Sequence, residues 1–324
     1  MTSSTRDRIR QIVPLVGAAL LFGLILKTTD LAKFVDALRH ADLLRFALVT
    51  IVTTGLVWMY DTYCLTWLIG QTLRDRGQPL PWKTLLPVKA TSYAINAINY
   101  HAATLAMAWL VGKRKKVSFL EATGSLALLS YLDLVAVAGM VAVGLMLAPE
   151  VVAAQPGLQG WLQGVTAVIF VGALSSVLLL QSGWQLRLLV QLRQLPVLRP
   201  LASLSPGAML IGVVMRTGLV MSYAAINMQL MECFGMHPTW GRMLVALPIL
   251  TVVGTVPISV SGLGTTQGLM RTLYAPFVLD GRVPTPVIDA FSTAMIMGFV
   301  VARLVLALPF LPGILAELRE RKDA

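Results

Sequence analysis

The chain has few charged residues. Only 13% of its 324 residues are Asp, Glu, Lys or Arg, whereas about 25% is usual for a soluble globular protein. Hydrophobic residues make up 56% of the chain instead, and apolar runs long enough to cross a bilayer recur along its whole length. The composition therefore predicts an all-α integral membrane protein, with residues 1–324 forming a single polytopic domain.

Cysteine and histidine are also scarce, with two Cys and three His. Cys64 and Cys233 lie in apolar segments, which favours buried thiols over a disulfide. His101 has no second His or Cys at ligand spacing, so no metal site is predicted. The sequence has no Gly-x-x-x-x-Gly-Lys run of the kind that binds nucleotide phosphates. We therefore expect no cofactor and no ATPase activity.

Acidic residues are fewer than basic ones, 15 against 26, and the net charge is +11. In a soluble protein such an excess would suggest a nucleic-acid partner. Here the basic residues cluster between the apolar runs, most densely at Lys113-Arg114-Lys115-Lys116, without the pattern of a nucleic-acid groove. We expect no nucleic-acid binding and interpret the charge as a signal of membrane topology and of contact with anionic headgroups.

Six apolar runs are predicted to span the membrane: residues 11–26, 43–70, 118–147, 161–181, 205–233 and 287–311. The first could be read as a signal peptide, but no small-residue cleavage site follows it, which favours an uncleaved span. Residues 30–40 and 184–194 have the apolar face typical of a short interfacial helix.

Two further segments, 85–111 and 243–270, are long enough to cross the membrane but are polar in the middle. The second contains Pro248, Pro257 and several glycines, which do not fit one unbroken helix. If both segments crossed, Lys and Arg would be spread evenly over the two sides. If each returns to its starting side, the basic residues concentrate on the cytoplasmic side. We therefore predict two re-entrant helical hairpins in the cell membrane, with both termini cytoplasmic.

The order of elements repeats along the chain. Residues 43–147 and 205–311 each run from a span through a Gly-Pro-Trp linker and a broken segment to a second span. Because the first hairpin would enter from the inside and the second from the outside, the two units form a predicted inverted repeat, as in many transporters. The linkers are marked by Gly77, Pro79 and Trp82 in the first unit and by Gly235, Pro238 and Trp240 in the second.

Residues 257–264 read Pro-Ile-Ser-Val-Ser-Gly-Leu-Gly, and Arg303 with Pro309 marks the last span. In these features the chain resembles the lysylphosphatidylglycerol synthase transmembrane family, whose members are flippase-like. That family typically has Pro-Ile-Ser-x-Gly-Gly-Leu-Gly followed by a basic residue and Glu, where this chain has Thr266 and Gln267. The resemblance implies a lipid translocase domain without the soluble aminoacyl-transferring domain of the fused members.

The first half departs further from the family pattern. Where the family has Pro-Gly-Arg-x-Gly-Glu, this chain has residues around Asn99, Tyr100 and His101; Asp133 matches a family Asp, but Ser130 replaces the accompanying Arg. The charged residues of the two family motifs are thus absent from both hairpins. The resemblance therefore implies a lipid as cargo but does not specify its headgroup.

Each hairpin segment is predicted to have an interruption of its helix near the middle. Polar and glycine residues near these two interruptions are predicted to bind the substrate. Glycines let a ligand approach the backbone, and a broken helix can direct N–H groups at an anion. The alternatives are a satisfied polar role for His101 and a tight Gly/Ser helix crossing in the second segment. The predicted residues are Asn96, Asn99, Tyr100, His101, Thr104, Ser259, Ser261, Gly262, Gly264, Thr265, Thr266 and Gln267.

Asp61, Asp133, Arg216 and Arg303 lie well inside predicted spans, where a charge is costly unless it is paired or functional. Arg303 is predicted either to bind a headgroup phosphate or to pair with an acid in the bundle. An Asp61–Arg216 pair or an Asp133–Arg303 pair would neutralise both members. Proton coupling through Asp133 is an alternative role.

The favoured function is translocation of a phospholipid or polyprenyl-linked amphiphile between leaflets by alternating access, without enzymatic activity. One alternative is a non-transporting scaffold that partners a glycosyltransferase or lipid-modifying enzyme, and assembly with a second copy of the chain is also open. Another alternative is an intramembrane headgroup transferase, which is disfavoured because His101, Asp61 and Asp133 form no catalytic motif.

Overall fold

The structure is a computed structural model that describes residues 31–96, 100–149, 156–255, 265–279, 281 and 283–319. Within these residues all regular secondary structure is helical. The α-helices are α1 (Leu31–His40), α2 (Leu43–Thr72), α3 (Trp82–Asn96), α4 (Tyr100–Lys115), α5 (Phe119–Leu147), α6 (Pro156–Gln181), α7 (Arg187–Gln194), α8 (Arg199–Ser203), α9 (Pro206–Glu232), α10 (Trp240–Thr255), α11 (Thr265–Tyr274), α12 (Pro284–Ala307) and α13 (Leu311–Arg319).

Five of these helices, α2, α5, α6, α9 and α12, are long and apolar enough to cross a membrane. They confirm five of the six predicted spans, so the chain is an all-helical, multi-pass membrane protein. The remaining predicted span, residues 11–26, lies outside the described residues.

Local chemistry sets the ends of the spans. α5 begins with a capping box, in which the Ser118 hydroxyl accepts from the Glu121 N–H and the Glu121 carboxylate accepts from the Ser118 N–H. The last span was predicted at 287–311 but is observed as Pro284–Ala307. Proline is favourable at the first position of a helix, which allows the earlier start. Pro309 cannot continue a helix, which explains the earlier end.

Each predicted hairpin segment contains two helices that pack against each other, α3 with α4 and α10 with α11. The two ends of each pair are joined by a backbone hydrogen bond. Before α3, the Gln78 N–H donates to the carbonyl oxygen of Lys115 at 2.7 Å. Before α10, the His237 N–H donates to the carbonyl oxygen of Phe277 at 2.8 Å. The chain therefore leaves each helix pair next to the point where it started.

A glycine in the left-handed region precedes each pair, Gly77 with φ of 61° and Gly235 with φ of 65°. Glycine adopts this conformation without the steric cost that a Cβ brings. At Gly77 a Cβ would also collide with the carbonyl oxygen of Lys115. The two turns that lead into the helix pairs thus have the same backbone form.

Most helix contacts in one half of the chain have a counterpart in the other half. Within α2–α5 and within α9–α12, each helix packs against the next. Between the halves, α2 packs against α9, α5 packs against α9 and α10, and α12 packs against α2 and α3. This reciprocity is what an internal repeat of residues 43–147 and 205–311 would produce. The inversion of the two units across the membrane stays a prediction.

α5 is the central helix and packs against α2, α4, α6, α9 and α10. Its contact with α10 is close because glycines lie there. A Cβ on Gly144 would lie 2.8 Å from Cγ2 of Val245, and a Cβ on Gly241 would lie 2.8 Å from the Cβ of Ala148. α6 is peripheral, since it packs against α5, α7 and α8 and few of its residues are buried.

The two predicted interfacial segments are short helices. α1 packs against α12, with Phe34 and Leu38 on the core and Val35 exposed. α7 is shorter than the predicted 184–194, and Arg193 donates hydrogen bonds to carbonyl oxygens at the end of α6, including those of Leu179 and Leu180. A basic side chain at a helix C-terminus satisfies otherwise unpaired carbonyls.

Candidate functional site

A network of buried charges lies where α2, α3, α5 and α9 meet. At its centre is Asp61 on α2, whose side chain is 6% exposed. Its carboxylate accepts from Arg216 Nη1 on α9 at 2.6 Å and from Lys89 Nζ on α3 at 2.8 Å. The Tyr93 hydroxyl donates to the same carboxylate at 2.8 Å. Asp61 thus has the partners that a buried carboxylate requires.

Arg216 extends this network to a second acid. Its guanidinium also contacts both carboxylate oxygens of Asp133 on α5, with Nη2 2.7 Å from Oδ2. The fork of donors on a guanidinium suits this two-point contact with a carboxylate. Asp133 is the least buried member, with 34% of its side chain exposed. One arginine therefore links spans from both halves of the chain.

Arg303 on α12 lies beside this ion network without joining it. Its guanidinium carbon is 5.7 Å from the ring centre of Tyr93 and 5.9 Å from that of Phe299, within the range of a cation–π contact. No carboxylate of the described residues forms an ion pair with it. The expected Asp61–Arg216 pair is therefore present, and Asp133 pairs with Arg216 rather than with Arg303.

A second polar cluster joins α11 to α12. Arg271 contacts both carboxylate oxygens of Asp289, at 2.7 and 2.8 Å, and Asp289 is fully buried. One turn earlier on α11, the Gln267 amide nitrogen lies 3.3 Å from Thr293 Oγ1 and 3.4 Å from Ser292 Oγ. These contacts fix the second helix of the second pair to the last span.

Two polar atoms of this second cluster have no partner among the residues that the structure describes. Gln267 Oε1 and Thr266 Oγ1 are buried without a hydrogen bond. Both residues were predicted to bind substrate, and both lie at the start of α11, directly after the interruption. Unpaired buried polar atoms are rare in proteins, so this position has unused hydrogen-bonding capacity.

The structure places the other predicted residues as far as it describes them. Asn96 is partly buried at the end of α3, and Thr104 is partly buried in α4. Tyr100, His101 and Thr265 lie at helix starts, and the structure describes their backbone but not their side chains. The remaining predicted residues are wholly outside the described residues: Asn99, Ser259, Ser261, Gly262 and Gly264.

Sequence reasoning missed Lys89, Tyr93 and Asp289. Lys89 lies in an apolar helix and is 6% exposed. Asp289 is an acid near the start of an apolar span, which is the same signal that had marked Asp61. Isolated charges in apolar runs could have identified both residues. Nothing in the sequence distinguishes Tyr93 from other tyrosines.

Within the described residues, no group of three or more His, Cys, Asp or Glu is placed to hold a metal ion. The site is instead built from ion pairs, hydroxyls and aromatic rings between transmembrane helices. Such groups can bind a polar or charged part of a ligand, and this combination defines a polytopic membrane protein with a polar centre.

Comparison with known families identifies the chain further. The family described as the lysylphosphatidylglycerol synthase TM region matches residues 11–288. Because this match covers most of the chain, the protein belongs to that family, as its motifs had indicated. No curated protein and no solved structure matches the chain.

Proposed function

We propose that the protein moves an amphiphile, a phospholipid or a polyprenyl-linked lipid, between the leaflets of the cell membrane. The observation that carries this proposal is the buried ion network of Lys89, Asp61, Arg216 and Asp133. A polar headgroup can cross the apolar core only along polar protein surface. The network provides such surface, and membership of a family named for a lipid synthase supports a lipid as the cargo.

In this proposal the two helix pairs are re-entrant hairpins that enter the membrane from opposite sides. The backbone hydrogen bonds Gln78–Lys115 and His237–Phe277 support a return of each pair to its starting side. The reciprocal helix contacts support two equivalent units. Units that are inverted relative to each other can exchange two conformations by rocking, which opens a central site alternately to each leaflet. Both termini would be cytoplasmic.

The residues at the two interruptions would complete the headgroup site. Gln267 and Thr266 support this assignment, since each has a buried oxygen without a partner. No chemical reaction is part of the proposal, and relative movement of the units is its only step. The energy source would be a gradient, a partner protein or mass action.

A transport assay tests this function. The purified protein is reconstituted into liposomes that contain a fluorescent phospholipid in both leaflets, and an impermeant reductant is added outside. Translocation predicts that the reductant destroys most of the fluorescence, because inner-leaflet lipid reaches it. A plateau near half of the signal, as in protein-free liposomes, would instead indicate a non-transporting scaffold.

Two variants test the site assignment in the same assay. Arg303→Ala removes the cation beside the ion network, and Gly264→Leu places a bulky side chain at the second interruption. Both are expected to slow the loss of fluorescence about 10-fold or more, equivalent to about 1.4 kcal/mol in the barrier. Normal rates in both variants would refute the assignment of the site.

A further inference from the structure

A cleft between α2, α3, α9 and α12 lies next to the ion network. Its cavity volume is about 20 Å³, and its lining includes Thr54, Tyr93, Tyr223, Phe299 and Arg303. The cleft extends from buried Thr54 to partly exposed Arg303. Clefts for whole ligands usually hold about 300–1,000 Å³, so this one has room only for one small polar group, such as the oxygens of a phosphate, and not for a complete headgroup.

Thr54 gives this cleft an unused donor. The other five threonines of α2 each donate to the carbonyl oxygen four residues earlier, as Thr50 does to Phe46 at 2.7 Å and Thr53 to Val49 at 2.6 Å. Thr54 is 5% exposed, and its hydroxyl has no partner within the described part of the chain. A buried hydroxyl without a partner is costly, so a ligand atom that accepts from it gains binding energy.

The charges around the cleft are not balanced. Lys89, Arg216 and Arg303 contribute three positive charges, whereas Asp61 and Asp133 contribute two negative ones. Lys89 and Arg216 are used by the two acids. Arg303 makes only the cation–π contacts with Tyr93 and Phe299 among the described residues. The excess of one positive charge therefore lies on the residue that lines the cleft.

We infer that this cleft binds the phosphodiester of a lipid that carries a net charge of −1, with the Arg303 guanidinium and the Thr54 hydroxyl as its donors. Guanidinium groups match phosphate oxygens geometrically, and one negative charge neutralises the site. This inference rests on the proposed function and names its substrate class. It favours an anionic phospholipid over a zwitterionic one, whose own cation would add to the positive excess.

Lipid binding to the purified protein in neutral detergent tests the inference. The midpoint of thermal unfolding is measured against the concentration of phosphatidylglycerol, phosphatidylcholine or inorganic phosphate. A ligand that binds the folded state raises this midpoint. Phosphatidylglycerol should raise it at concentrations about 10-fold lower than phosphatidylcholine. Equal effects of the two lipids would overturn the inference, and an equal effect of inorganic phosphate would overturn the choice of a lipid as ligand.

Matched variants connect this selectivity to the cleft. Arg303→Gln removes the charge but keeps a polar side chain, and Thr54→Val removes the hydroxyl at nearly constant volume. Arg303→Gln should abolish the preference for phosphatidylglycerol, and Thr54→Val should weaken phosphatidylglycerol binding about 3- to 10-fold, as expected for a hydrogen bond to a charged group. The exposed neighbour Leu304 provides the control Leu304→Ala, which should keep the preference.

Three results distinguish failure of this inference from failure of the proposed function. Unchanged selectivity in both Arg303→Gln and Thr54→Val would refute the cleft as the binding site. Should either variant fail to fold, the remaining one decides the assignment. Selective binding without lipid movement in liposomes would leave this site standing and reject transport. Lipid movement without headgroup selectivity would reject this site and leave the transport function standing.

Discussion

At the scale of single residues, Arg216 connects the two acids of the described ion network, because it binds Asp61 and Asp133 at once. Both acids depend on it in an environment where an unpaired charge is expensive. Lys89 compensates Asp61 alone. The loss of Arg216 therefore leaves Asp133 without a cation among its described contacts.

Arg216→Leu is expected to lower the free energy of unfolding in detergent by about 3–5 kcal/mol, because it leaves buried charge uncompensated. Chemical or thermal unfolding of the purified protein measures this. Val214→Ala on the exposed face of the same helix is the control and should change stability by less than about 1 kcal/mol. A loss as small as that of the control would show that the network does not stabilise the fold.

The two acids of the network should differ in importance. Asp61 has three partners and a side chain that is 6% exposed, whereas Asp133 has one partner and is 34% exposed. Asp61→Asn should therefore destabilise the protein more than Asp133→Asn, by about 1 kcal/mol or more. The same unfolding measurement compares them, and the reverse order would contradict the assigned geometry.

At this scale the sequence could predict part of the site. Hydropathy marked Asp61, Asp133, Arg216 and Arg303 as isolated charges in apolar segments. It could not determine which acid faces which base, since pairing depends on the relative rotation of helices that are distant in sequence. The sequence also could not predict the unused hydroxyl of Thr54, because a threonine in a helix usually donates to a backbone carbonyl of the same helix.

At the scale of helices, the crossing of α5 and α10 depends on small residues. Gly144 lies against Val245 and the backbone of Leu244, whereas Gly139 on the same helix has open space around a hypothetical Cβ. The two glycines therefore provide a matched pair within one element.

Gly144→Ala is expected to destabilise the protein by about 1–3 kcal/mol through overpacking. Gly139→Ala is expected to stabilise it by up to about 1 kcal/mol, because alanine is the better helix former. The opposite signs are measured as shifts of the thermal midpoint in detergent. Destabilisation of equal size at both positions would show that the α5–α10 contact is not the cause.

The C-terminal helix α13 is attached to the first helix pair by Glu317. The Glu317 carboxylate accepts from Arg114 Nη2 at 2.8 Å, and the Glu317 carbonyl oxygen accepts from Lys113 Nζ at 2.9 Å. Glu317→Gln should cost about 1.5 kcal/mol or more, since the pair is mostly shielded from solvent. The half-exposed Arg45–Glu232 pair is the comparison.

Glu232→Gln should cost less than about 1 kcal/mol, because solvent screens an exposed ion pair. Limited proteolysis near the C-terminus, together with thermal unfolding, measures both variants. If the protease releases α13 from neither variant, the attachment through Glu317 is contradicted.

Helix positions could be predicted well from sequence because apolar runs of sufficient length have a single reading in a membrane. Prolines alone did not determine the helix ends, since Pro87 lies inside α3 and Pro248 lies inside α10. The ends of α12 could not be predicted, because hydropathy ignores the effect of Pro284 and Pro309 on the helix. The helices on both sides of each interruption pack against each other. Hydropathy does not predict this tertiary contact.

At the scale of the whole molecule, topology is the first test. Single cysteines replace the exposed residues Asp75, Lys116, Thr239 and Leu279, which flank the two helix pairs, and an impermeant maleimide probes each side of the membrane. If the pairs are re-entrant, the cysteines at positions 75 and 116 should react with the maleimide from one side of the membrane. The cysteines at positions 239 and 279 should then react from the other side. Full crossings would place the two ends of each pair on opposite sides. The native cysteines Cys64 and Cys233 are buried, which keeps background labelling low.

The central claim is that the protein moves lipid by relative movement of its two units. Ala148 follows α5 in the first unit, and Gly241 lies in α10 of the second, with their Cβ positions 2.8 Å apart. Disulfides join Cβ atoms about 3.5–4.5 Å apart, so a shift of about 1 Å between α5 and α10 would allow cysteines at both positions to form a disulfide across the units. The double variant A148C/G241C, reconstituted in liposomes, is therefore assayed for lipid movement before and after reduction.

The oxidised double variant is expected to move fluorescent phosphatidylglycerol at least about 10-fold more slowly than the reduced one. Reduction of the disulfide should restore the rate of the unmodified protein in the same liposomes. Equal rates in the oxidised and reduced states, or no lipid movement in either state or in the unmodified protein, would contradict the claim.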